Sequence, residues 1–248
     1  MAGRSFVVGD VHGELAHLTA LLGRLPPLDA GDTLVFLGDY LDRGPDSRGV
    51  VEHLMGLDQH TPAKLVFLRG NHEDGWLRAM NGGWPEFVLP EPNGCWACVR
   101  SFRGRPLPET QPEREDLEAL FSGSFFPEEV AKWMAGLLHF YEDEHAIYVH
   151  AGLPQKAGRF LHPSEVEDKI VLLWLRSAEF FRDYKGKRVI CGHTATEDLP
   201  VELSTYTPND PSDLWYRGDV VAIDTGCGKE GGFLTAIALP GLEVYESR

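Results

Sequence analysis

Residues 5–44 read SFVVGDVHGELAHLTALLGRLPPLDAGDTLVFLGDYLDRG, and this stretch decides the fold. A short apolar run over residues 5–8 stops at a Gly-Asp turn, and the leucines that follow are spaced along one face of a helix. The pattern repeats, because residues 33–37 form a second apolar run that stops at Gly38-Asp39. The stretch therefore predicts two strands, each ending in a polar loop that contains glycine, with a helix between them.

The same alternation continues along the rest of the chain. The spacing of apolar residues predicts a helix over residues 47–57, a strand over 64–68 and a helix over 127–140. Later apolar runs predict strands at residues 146–149, 188–191, 220–223, 233–239 and 242–245, and we expect the last three to be antiparallel because little helix separates them. Strands that alternate with helices predict an α/β fold, in which ligand groups collect on the loops beyond the carboxyl ends of the strands.

The composition is that of a globular protein with an acidic surface. Hydrophobic residues make up 43% of the 248 residues, charged residues make up 25%, and the formal net charge is −15. A surface with this charge repels polyanions, so we expect no double-stranded nucleic acid partner. Apolar runs are too short for a membrane span, and Gly9-Asp10 interrupts any signal peptide. We therefore expect a cytoplasmic protein with no membrane partner.

The four cysteines are too few and too scattered to form a disulfide framework, so we expect reduced thiols. Cys95 and Cys98 form a CxxC pair, but no second CxxC or CxxH pair accompanies them to complete a tetrahedral zinc site. We therefore interpret these two thiols as packing residues.

Five short motifs carry the chemistry. They are Gly9-Asp-Val-His-Gly13, Gly38-Asp-Tyr-Leu-Asp-Arg-Gly44, Gly70-Asn-His-Glu73, His150-Ala-Gly-Leu153 and Gly192-His-Thr194. Each follows a predicted strand, so the side chains of the motifs should meet at one edge of a sheet. Their carboxylate, amide and imidazole groups suit manganese, iron or zinc better than calcium. Two divalent ions need a carboxylate that bridges them, and Asp39, in the middle of the series, is the natural candidate.

These motifs, in this order, closely resemble those of the PPP-type metallophosphatases of the calcineurin-like superfamily, which include bacterial serine/threonine protein phosphatases and enzymes like diadenosine tetraphosphatase. The resemblance spans residues 9–193, but residues 74–145 contribute nothing to it. It implies two packed mixed β-sheets flanked by helices, as a four-layer sandwich, with the metal site on loops at the carboxyl ends of strands. We expect a single domain over residues 1–248, with a variable insertion rich in Gly, Pro and Trp at about 74–145.

The resemblance also implies a role for each motif residue. It assigns Asp10 and His12 to one metal ion, Asp39 to both, and Asn71, His150 and His193 to the other. His72 would be the general acid and Asp42 its partner, while Arg43 and Arg176 would hold phosphoryl oxygens. The implied cofactor is a pair of divalent ions, manganese first, with iron, zinc, cobalt and nickel as alternatives. The implied reaction is in-line attack on phosphorus by a metal-activated hydroxide.

Several residues near the motifs keep two interpretations. Arg69 and Glu73 either orient the metal ligands or have no part in the site. Asp224, in Ile223-Asp-Thr-Gly226, resembles a late segment of bacterial members, but we favour an ordinary turn former. The tryptophans of the variable segment either pack a small cap, which we favour, or offer faces on which a nucleobase stacks; they are Trp76, Trp84 and Trp96. The histidines outside the motifs are interpreted as surface or core residues.

Two substrate classes share this machinery. In the family that these motifs resemble, symmetrical diadenosine tetraphosphatases usually replace the second Asp of GDxxDRG and end the third motif in GNHD. This chain keeps Asp42 and Glu73. A basic alkoxide leaving group needs a proton more than a nucleotide leaving group does. We therefore favour phosphomonoesters of serine or threonine in proteins, with tyrosine as a further target. The alternatives are a dinucleoside polyphosphate substrate and a metal-binding scaffold without activity.

Overall fold

The computed structural model describes residues 3–104, 112–205 and 213–248. Within these ranges lie twelve strands and nine α-helices. The strands are Ser5–Val8 (β1), Thr33–Phe36 (β2), Lys64–Phe67 (β3), Phe140–Glu142 (β4), Ile147–Val149 (β5), Gln155–Lys156 (β6), Arg159–Phe160 (β7), Val189–Cys191 (β8), Trp215–Arg217 (β9), Val220–Ala222 (β10), Thr235–Leu239 (β11) and Glu243–Glu246 (β12). The helices are Leu15–Leu22 (α1), Ser47–Met55 (α2), Asn71–Gly82 (α3), Pro85–Val88 (α4), Cys95–Arg103 (α5), Arg114–Ser122 (α6), Glu128–Gly136 (α7), Val171–Trp174 (α8) and Ala178–Asp183 (α9).

Two five-stranded sheets form the centre of the described structure. The first has the order β12-β11-β1-β2-β3, and the second has the order β4-β5-β8-β10-β9. Strands β1, β2 and β3 are parallel to one another, as are β5, β8 and β10. The flanking strands are added by antiparallel pairing: β11 pairs with β1, β12 with β11, β4 with β5 and β9 with β10. Each sheet therefore brings the carboxyl ends of three neighbouring strands to one edge.

The inner strands of the two sheets are almost entirely buried on both faces, which explains why they read as continuous apolar runs; they are β1, β2, β5, β8, β10 and β11. Along β1, Phe6 and Val8 pack against the helices on the outer face of the first sheet, whereas Val7 packs into the layer between the two sheets. Along β8, Ile190 lies in that same middle layer and Val189 faces the outer side of the second sheet. This alternation confirms the expected arrangement of two packed mixed β-sheets flanked by helices.

One predicted helix and the last predicted strands differ from the sequence prediction. The helix predicted over residues 127–140 ends at Gly136, because Leu138 pairs with Leu68 beside β3 and starts an extended segment that leads into β4. The last three predicted strands do not form one antiparallel group. Strand β10 pairs in parallel with β8 in the second sheet, whereas β11 and β12 belong to the first, because a glycine-rich loop between β10 and β11 carries the chain from one sheet to the other.

Helices α3 to α7 cover the outer face of the first sheet and account for most of the variable insertion. The buried side chains of these helices belong to the same hydrophobic cluster as those on the outer face of β1 and β2. Residues 105–111 of the insertion lie outside the described residues. In the described part of the chain, the helices are all too short or too polar to cross a bilayer.

Candidate metal centre

The motif residues lie where parallel strands end. Asp10 and Asp39 follow β1 and β2, His150 follows β5 directly, and His193 follows β8. Asn71 differs from the expectation of a loop position, because it is the first residue of helix α3. The carboxyl edges of the two sheets meet at this point, since the His193 backbone N–H donates to Asp10 Oδ2 at 3.0 Å. The tertiary structure therefore brings the residues of all five motifs together.

The backbone of the site is strained in the places where the motifs lie. Among the described residues, seven non-glycine residues have positive φ, and five of them belong to the predicted site. They are His12 (45°), Asp39 (52°), Asp42 (71°), Arg43 (63°) and His193 (65°). The left-handed region costs a non-glycine residue roughly 1–3 kcal/mol, and such residues persist only where the surrounding structure holds them. The concentration of strain marks this edge of the sheets as a functional site.

Two motif glycines permit the close approach of the loops. A Cβ atom added at Gly70 would lie 2.1 Å from Asp39 Oδ1 and 2.3 Å from the Asp39 backbone nitrogen. A Cβ atom added at Gly192 would lie 2.0 Å from Asp10 Oδ1. The glycines of GNHE and GHT are therefore required because carboxylates of the site occupy the space that a side chain would fill.

One group of candidate ligands comprises His12, Asp39 and His72, whose ligand atoms lie within 4.8 Å of one another. His12 Nδ1 lies 3.0 Å from the Leu41 carbonyl oxygen and must donate to it, so the lone pair of neutral His12 is on Nε2. That atom lies 3.5 Å from Asp39 Oδ2. Burial lowers the pKa of His12 well below its usual range, and the Arg43 guanidinium lowers it further. His12 is thus a neutral imidazole with its lone pair directed at Asp39, as a metal ligand would be.

A second group comprises Asp39, His150 and His193. His150 Nδ1 donates to the Leu37 carbonyl at 2.9 Å, so its Nε2 presents a lone pair toward Asp39 Oδ1 at 3.4 Å. Asn71 Oδ1 lies 2.9 Å from that nitrogen and 2.7 Å from His193 Nδ1. Burial lowers the pKa of both histidines. The lone pair of His150 Nε2 thus faces the oxygen atoms of Asn71 and Asp39, an arrangement that a bound cation would stabilise. Asp39 is common to both groups.

The site also contains buried polar atoms without partners. Asp10 Oδ1 and His193 Nε2 are buried and accept or donate no hydrogen bond among the described residues. Burial raises the pKa of Asp10 well above its usual range, and the negative charges of Asp224 and Asp39 raise it further. Unpaired buried groups of this kind are costly unless a ligand satisfies them. Oxygen and nitrogen donors around an acidic centre fit divalent ions such as manganese, iron or zinc.

His72, the third member of the first group, forms a buried ion pair with Asp42. His72 Nδ1 lies 2.6 Å from Asp42 Oδ2, and His72 Nε2 lies 3.9 Å from Asp39 Oδ2. Burial acts to lower the pKa of His72, but the charges of Asp39 and Asp42 outweigh it and raise the pKa above its usual value. His72 can therefore hold protons on both ring nitrogens, with Nε2 turned toward the metal centre.

The two predicted arginines contact different histidines of the centre. Arg43 is half-buried and its Nη1 donates to His12 Nε2 at 2.6 Å. The same lone pair would be needed by an ion, so an ion at His12 requires the guanidinium to turn away from it. Arg176 is exposed and its Nη2 donates to the His193 carbonyl at 3.4 Å. Both arginines therefore lie next to a candidate ligand.

Three residues with open interpretations can now be placed. Glu73 is buried and accepts the backbone N–H groups of Asp39, Tyr40 and Gly70 at 2.8–3.0 Å, so it supports the Asp39 loop. Burial and the charge of Asp39 raise the pKa of Glu73 to about 7, against the backbone N–H bonds that act to lower it. Arg69 instead donates to the Ala135 carbonyl, away from the ligand atoms.

Asp224 is the residue for which the favoured interpretation was incomplete. It caps a turn, since Oδ1 accepts the Gly226 N–H at 3.0 Å, but it is also 3% exposed and raises the pKa of Asp10 through its charge. Asp224 follows β10, the third parallel strand of the second sheet. Its place beyond a strand was visible in the sequence, but the parallel pairing of β10 with β8 was not.

The variable insertion packs directly against His72. The Phe87 ring lies 5.5 Å from the His72 ring and 5.6 Å from the Trp84 ring. Trp174, from helix α8, bridges Trp84 at 5.4 Å and His193 at 6.4 Å. Aromatic side chains thus extend from His72 to His193. Cys95 and Cys98, both buried and free, lie in helix α5 of the same insertion.

The comparisons with known proteins agree with the motifs. The model of the family described as calcineurin-like phosphoesterase matches residues 3–197. The serine/threonine-protein phosphatase SIT4 of Candida albicans is 37% identical over 83 residues, which are 32% of this chain and 26% of that protein. The alignment thus spans about a quarter of the length of this curated relative.

Two solved structures share the fold. A crystal structure of a provisionally assigned diadenosine tetraphosphatase has a TM-score of 0.62 at 21% identity, covering 99% of this chain and 93% of that one. The cold-active protein-tyrosine phosphatase of a psychrophilic Shewanella species has a TM-score of 0.57 at 17% identity, covering 96% and 76%. The resemblance read from the five motifs is confirmed at the level of the family: the chain belongs to the calcineurin-like phosphoesterases.

Proposed function

We propose that this protein is a metal-dependent phosphatase that hydrolyses phosphomonoesters, with phosphoserine and phosphothreonine residues of proteins as its substrates. The observation that carries the proposal is the buried His72–Asp42 pair, 2.6 Å apart, with its free ring nitrogen turned toward Asp39. A general acid paired with a carboxylate is the group that hydrolysis of an alkyl phosphate needs most, because the alkoxide leaving group is strongly basic.

The predicted ligands, which do not include His72, would hold two divalent ions. Asp10 and His12 would bind one ion, Asn71, His150 and His193 the other, and Asp39 both, since its Oδ2 faces His12 and its Oδ1 faces His150. When bound, such ions supply positive charge at the phosphoryl oxygens and lower the pKa of water to generate the nucleophile. The neutral imidazoles and the unpaired Asp10 oxygen support this assignment.

His72 would move the proton of the reaction. Its Nδ1 donates to Asp42, so the ring is fixed in one orientation and only Nε2 can give a proton to the substrate. The raised pKa of His72 keeps the ring protonated closer to neutral pH. The proton on Nε2 would pass to the departing alkoxide, and Asp42 would hold the proton that remains on Nδ1 throughout.

The arginines would bind the phosphoryl group. Arg43 can leave the His12 lone pair when an ion takes it, and its guanidinium then becomes available to phosphoryl oxygens. Arg176 lies beside His193. A guanidinium stays charged at any working pH and matches two phosphoryl oxygens at once. Two guanidinium groups would provide local positive charge for the phosphoryl group, although the chain as a whole is negatively charged.

A symmetrical diadenosine tetraphosphatase is the second candidate. The specific observation in its favour is the pair of partly buried rings Trp84 and Trp174, of which Trp174 lies 6.4 Å from the His193 ring. Aromatic side chains of this kind stack on nucleobases. The His72–Asp42 pair weighs against it, because a nucleotide leaving group is stable without a proton.

A side-by-side turnover measurement tests the proposal. Phosphoserine, phosphothreonine and phosphotyrosine peptides are compared with diadenosine tetraphosphate and ATP, each with added manganese and with EDTA. We expect kcat/KM to be highest for the phosphoserine or phosphothreonine peptide, and activity to vanish with EDTA. Faster cleavage of diadenosine tetraphosphate would refute the phosphoprotein substrate and support the diadenosine tetraphosphatase. Activity that EDTA leaves unchanged would refute the metal-dependent mechanism.

A further inference from the structure

The carboxylate of Asp42 is held from a side that the five motifs do not provide. Asp42 is fully buried, and only Oδ2 faces His72. The other oxygen, Oδ1, accepts the indole N–H of Trp76 at 2.9 Å, and the same N–H lies 3.1 Å from Oδ2. Among the described residues, no other side chain donates to Oδ1. Trp76 belongs to helix α3, four residues after His72, so both rings lie on one face of the helix.

Trp76 is itself fixed by a closed aromatic environment. Its side chain is fully buried, and its ring has edge-to-face contacts with Phe87, Phe125 and Phe126 at centroid distances of 5.8, 5.1 and 5.3 Å. The indole therefore has one orientation, in which its N–H is aimed at Asp42. A buried indole N–H needs an acceptor, and a carboxylate is the strongest acceptor that a protein offers.

We propose that Trp76 is a positioning residue for the general acid: its indole N–H fixes the rotation of the Asp42 carboxylate, so that Oδ2 stays aligned with His72 Nδ1. The inference rests on the proposed function. A carboxylate held only at Oδ2 would turn about its Cβ–Cγ bond and release the ring of His72. Two donors, one on each oxygen, remove that freedom. The helix that begins in the GNHE motif thus carries both the acid and the group that orients its partner.

Cys95 gives a second, weaker donor to the same carboxylate. Its Sγ lies 3.8 Å from Asp42 Oδ2 and 3.7 Å from the Phe87 carbonyl, and its single hydrogen can serve only one of them. The Phe87 carbonyl already accepts the Asn93 side-chain amide at 2.7 Å, so the charged oxygen is the better acceptor for the thiol. Burial raises the pKa of the Cys95 thiol, which keeps its hydrogen in place.

The experiment separates a positioning role from a structural role by the leaving group. A phosphoserine peptide loses a basic alkoxide and needs the general acid, whereas p-nitrophenyl phosphate loses a stable phenolate and does not. For Trp76→Phe we expect kcat on the peptide to fall about tenfold, with KM unchanged, and kcat on p-nitrophenyl phosphate to stay within about twofold. Cys95→Ala should show the same pattern more weakly, and Cys95→Ser, which keeps a donor, should restore the wild-type ratio.

The matched control is Trp215→Phe. Trp215 is also buried, and its indole N–H donates to the Pro200 carbonyl at 3.1 Å in the outer core of the second sheet, away from Asp42. This variant loses a comparable hydrogen bond, and its ratio of kcat on the two substrates should equal the wild-type ratio. Melting temperature and bound metal are measured for every variant.

The outcomes distinguish a failure of the positioning role of Trp76 from a failure of the proposed phosphatase function. An equal fall on both substrates in Trp76→Phe, or no fall on either, overturns the positioning role while the phosphatase proposal stands. If Trp76→Phe does not fold, the test uses the ratio of kcat on the peptide to kcat on p-nitrophenyl phosphate, compared between Cys95→Ala and Cys95→Ser. A wild-type protein that hydrolyses no phosphomonoester overturns the proposed function and the positioning role with it.

Discussion

The substitution Gly70→Ala should destabilise the protein and displace Asp39. The added Cβ would lie 2.1 Å from Asp39 Oδ1 and 2.3 Å from the Asp39 backbone nitrogen. Because one of these atoms belongs to the backbone, the Asp39 loop and the start of helix α3 must move apart by about 1 Å to reach ordinary contact distances. The φ of Gly70 is −92°, so alanine can adopt this backbone conformation and the effect arises from crowding alone.

The magnitude follows from the hydrogen bonds that cross this contact. Glu73 Oε2 accepts both the Asp39 and the Gly70 N–H, and Asp39 Oδ1 accepts the His72 N–H, all at 2.9–3.0 Å. A hydrogen bond to a charged group contributes about 1.5–3 kcal/mol, and separation would weaken at least two of the three. We therefore expect the free energy of unfolding to fall by about 4 kcal/mol, which corresponds to a decrease in Tm of about 8–16 °C for a chain of this size.

The assay is thermal and denaturant unfolding of the metal-free protein, with bound manganese measured in parallel. Gly82→Ala is the matched control, because it lies at the end of the same helix and an added Cβ there meets no atom within 4 Å. That variant should keep or gain stability, by up to about 1 kcal/mol. A Gly70→Ala protein within about 1 kcal/mol of wild type, with full metal content, would show that the close packing of these loops is not required.

Three further predictions concern the site and the acid stability of the protein. His72→Asn should lower kcat on a phosphoserine peptide about 10²–10⁴-fold with bound metal unchanged, and loss of metal from this variant would argue for a ligand instead of an acid. Chelation with EDTA should lower Tm, and manganese at 100 times its dissociation constant should restore about 2.7 kcal/mol; a Tm that does not respond to manganese would count against the metal centre. Arg4 donates to the buried Asp32 at 2.6 Å and lowers the pKa of that carboxyl, so the pair stabilises the protein above about pH 4 and this stability is lost as the pH falls below it. Arg4→Ala should therefore lower the denaturant midpoint of unfolding at pH 7 and change it little at pH 2, and an equal decrease at both pH values would exclude the ion pair as the cause.

The positions of the candidate ligands could be predicted because they depend on local sequence. Each ligand of the first sheet follows an apolar run and a glycine, so the strand, its end and the side chain after it are read from a few neighbouring residues. The strands β1, β2, β3, β5 and β8 accordingly appear within one or two residues of the predicted bounds. The roles of Asp10, His12, Asp39, Asn71, His150 and His193 remain predictions that the ligand and turnover measurements test.

The insertion could not be predicted because its structure depends on contacts with distant residues. Trp76 and Cys95 read as packing residues, and they do pack, but only the folded chain shows that they point their polar atoms at Asp42. Asp224 read as a turn residue for the same reason. Its electrostatic effect on Asp10 depends on two sheets meeting at one edge.

The sequence by itself determined the α/β class, the strand ends, the family and the chemical nature of the donors, because apolar periodicity and short motifs are local properties. Only the tertiary structure decided which sheet received β10, how the two carboxyl edges meet, and that helix α3 places His72 and Trp76 on either side of the Asp42 carboxylate. The physical reason is distance along the chain. A hydrogen bond between residues thirty or more positions apart leaves no trace in the spacing of either residue, and it exists only because the packed core holds both ends in place.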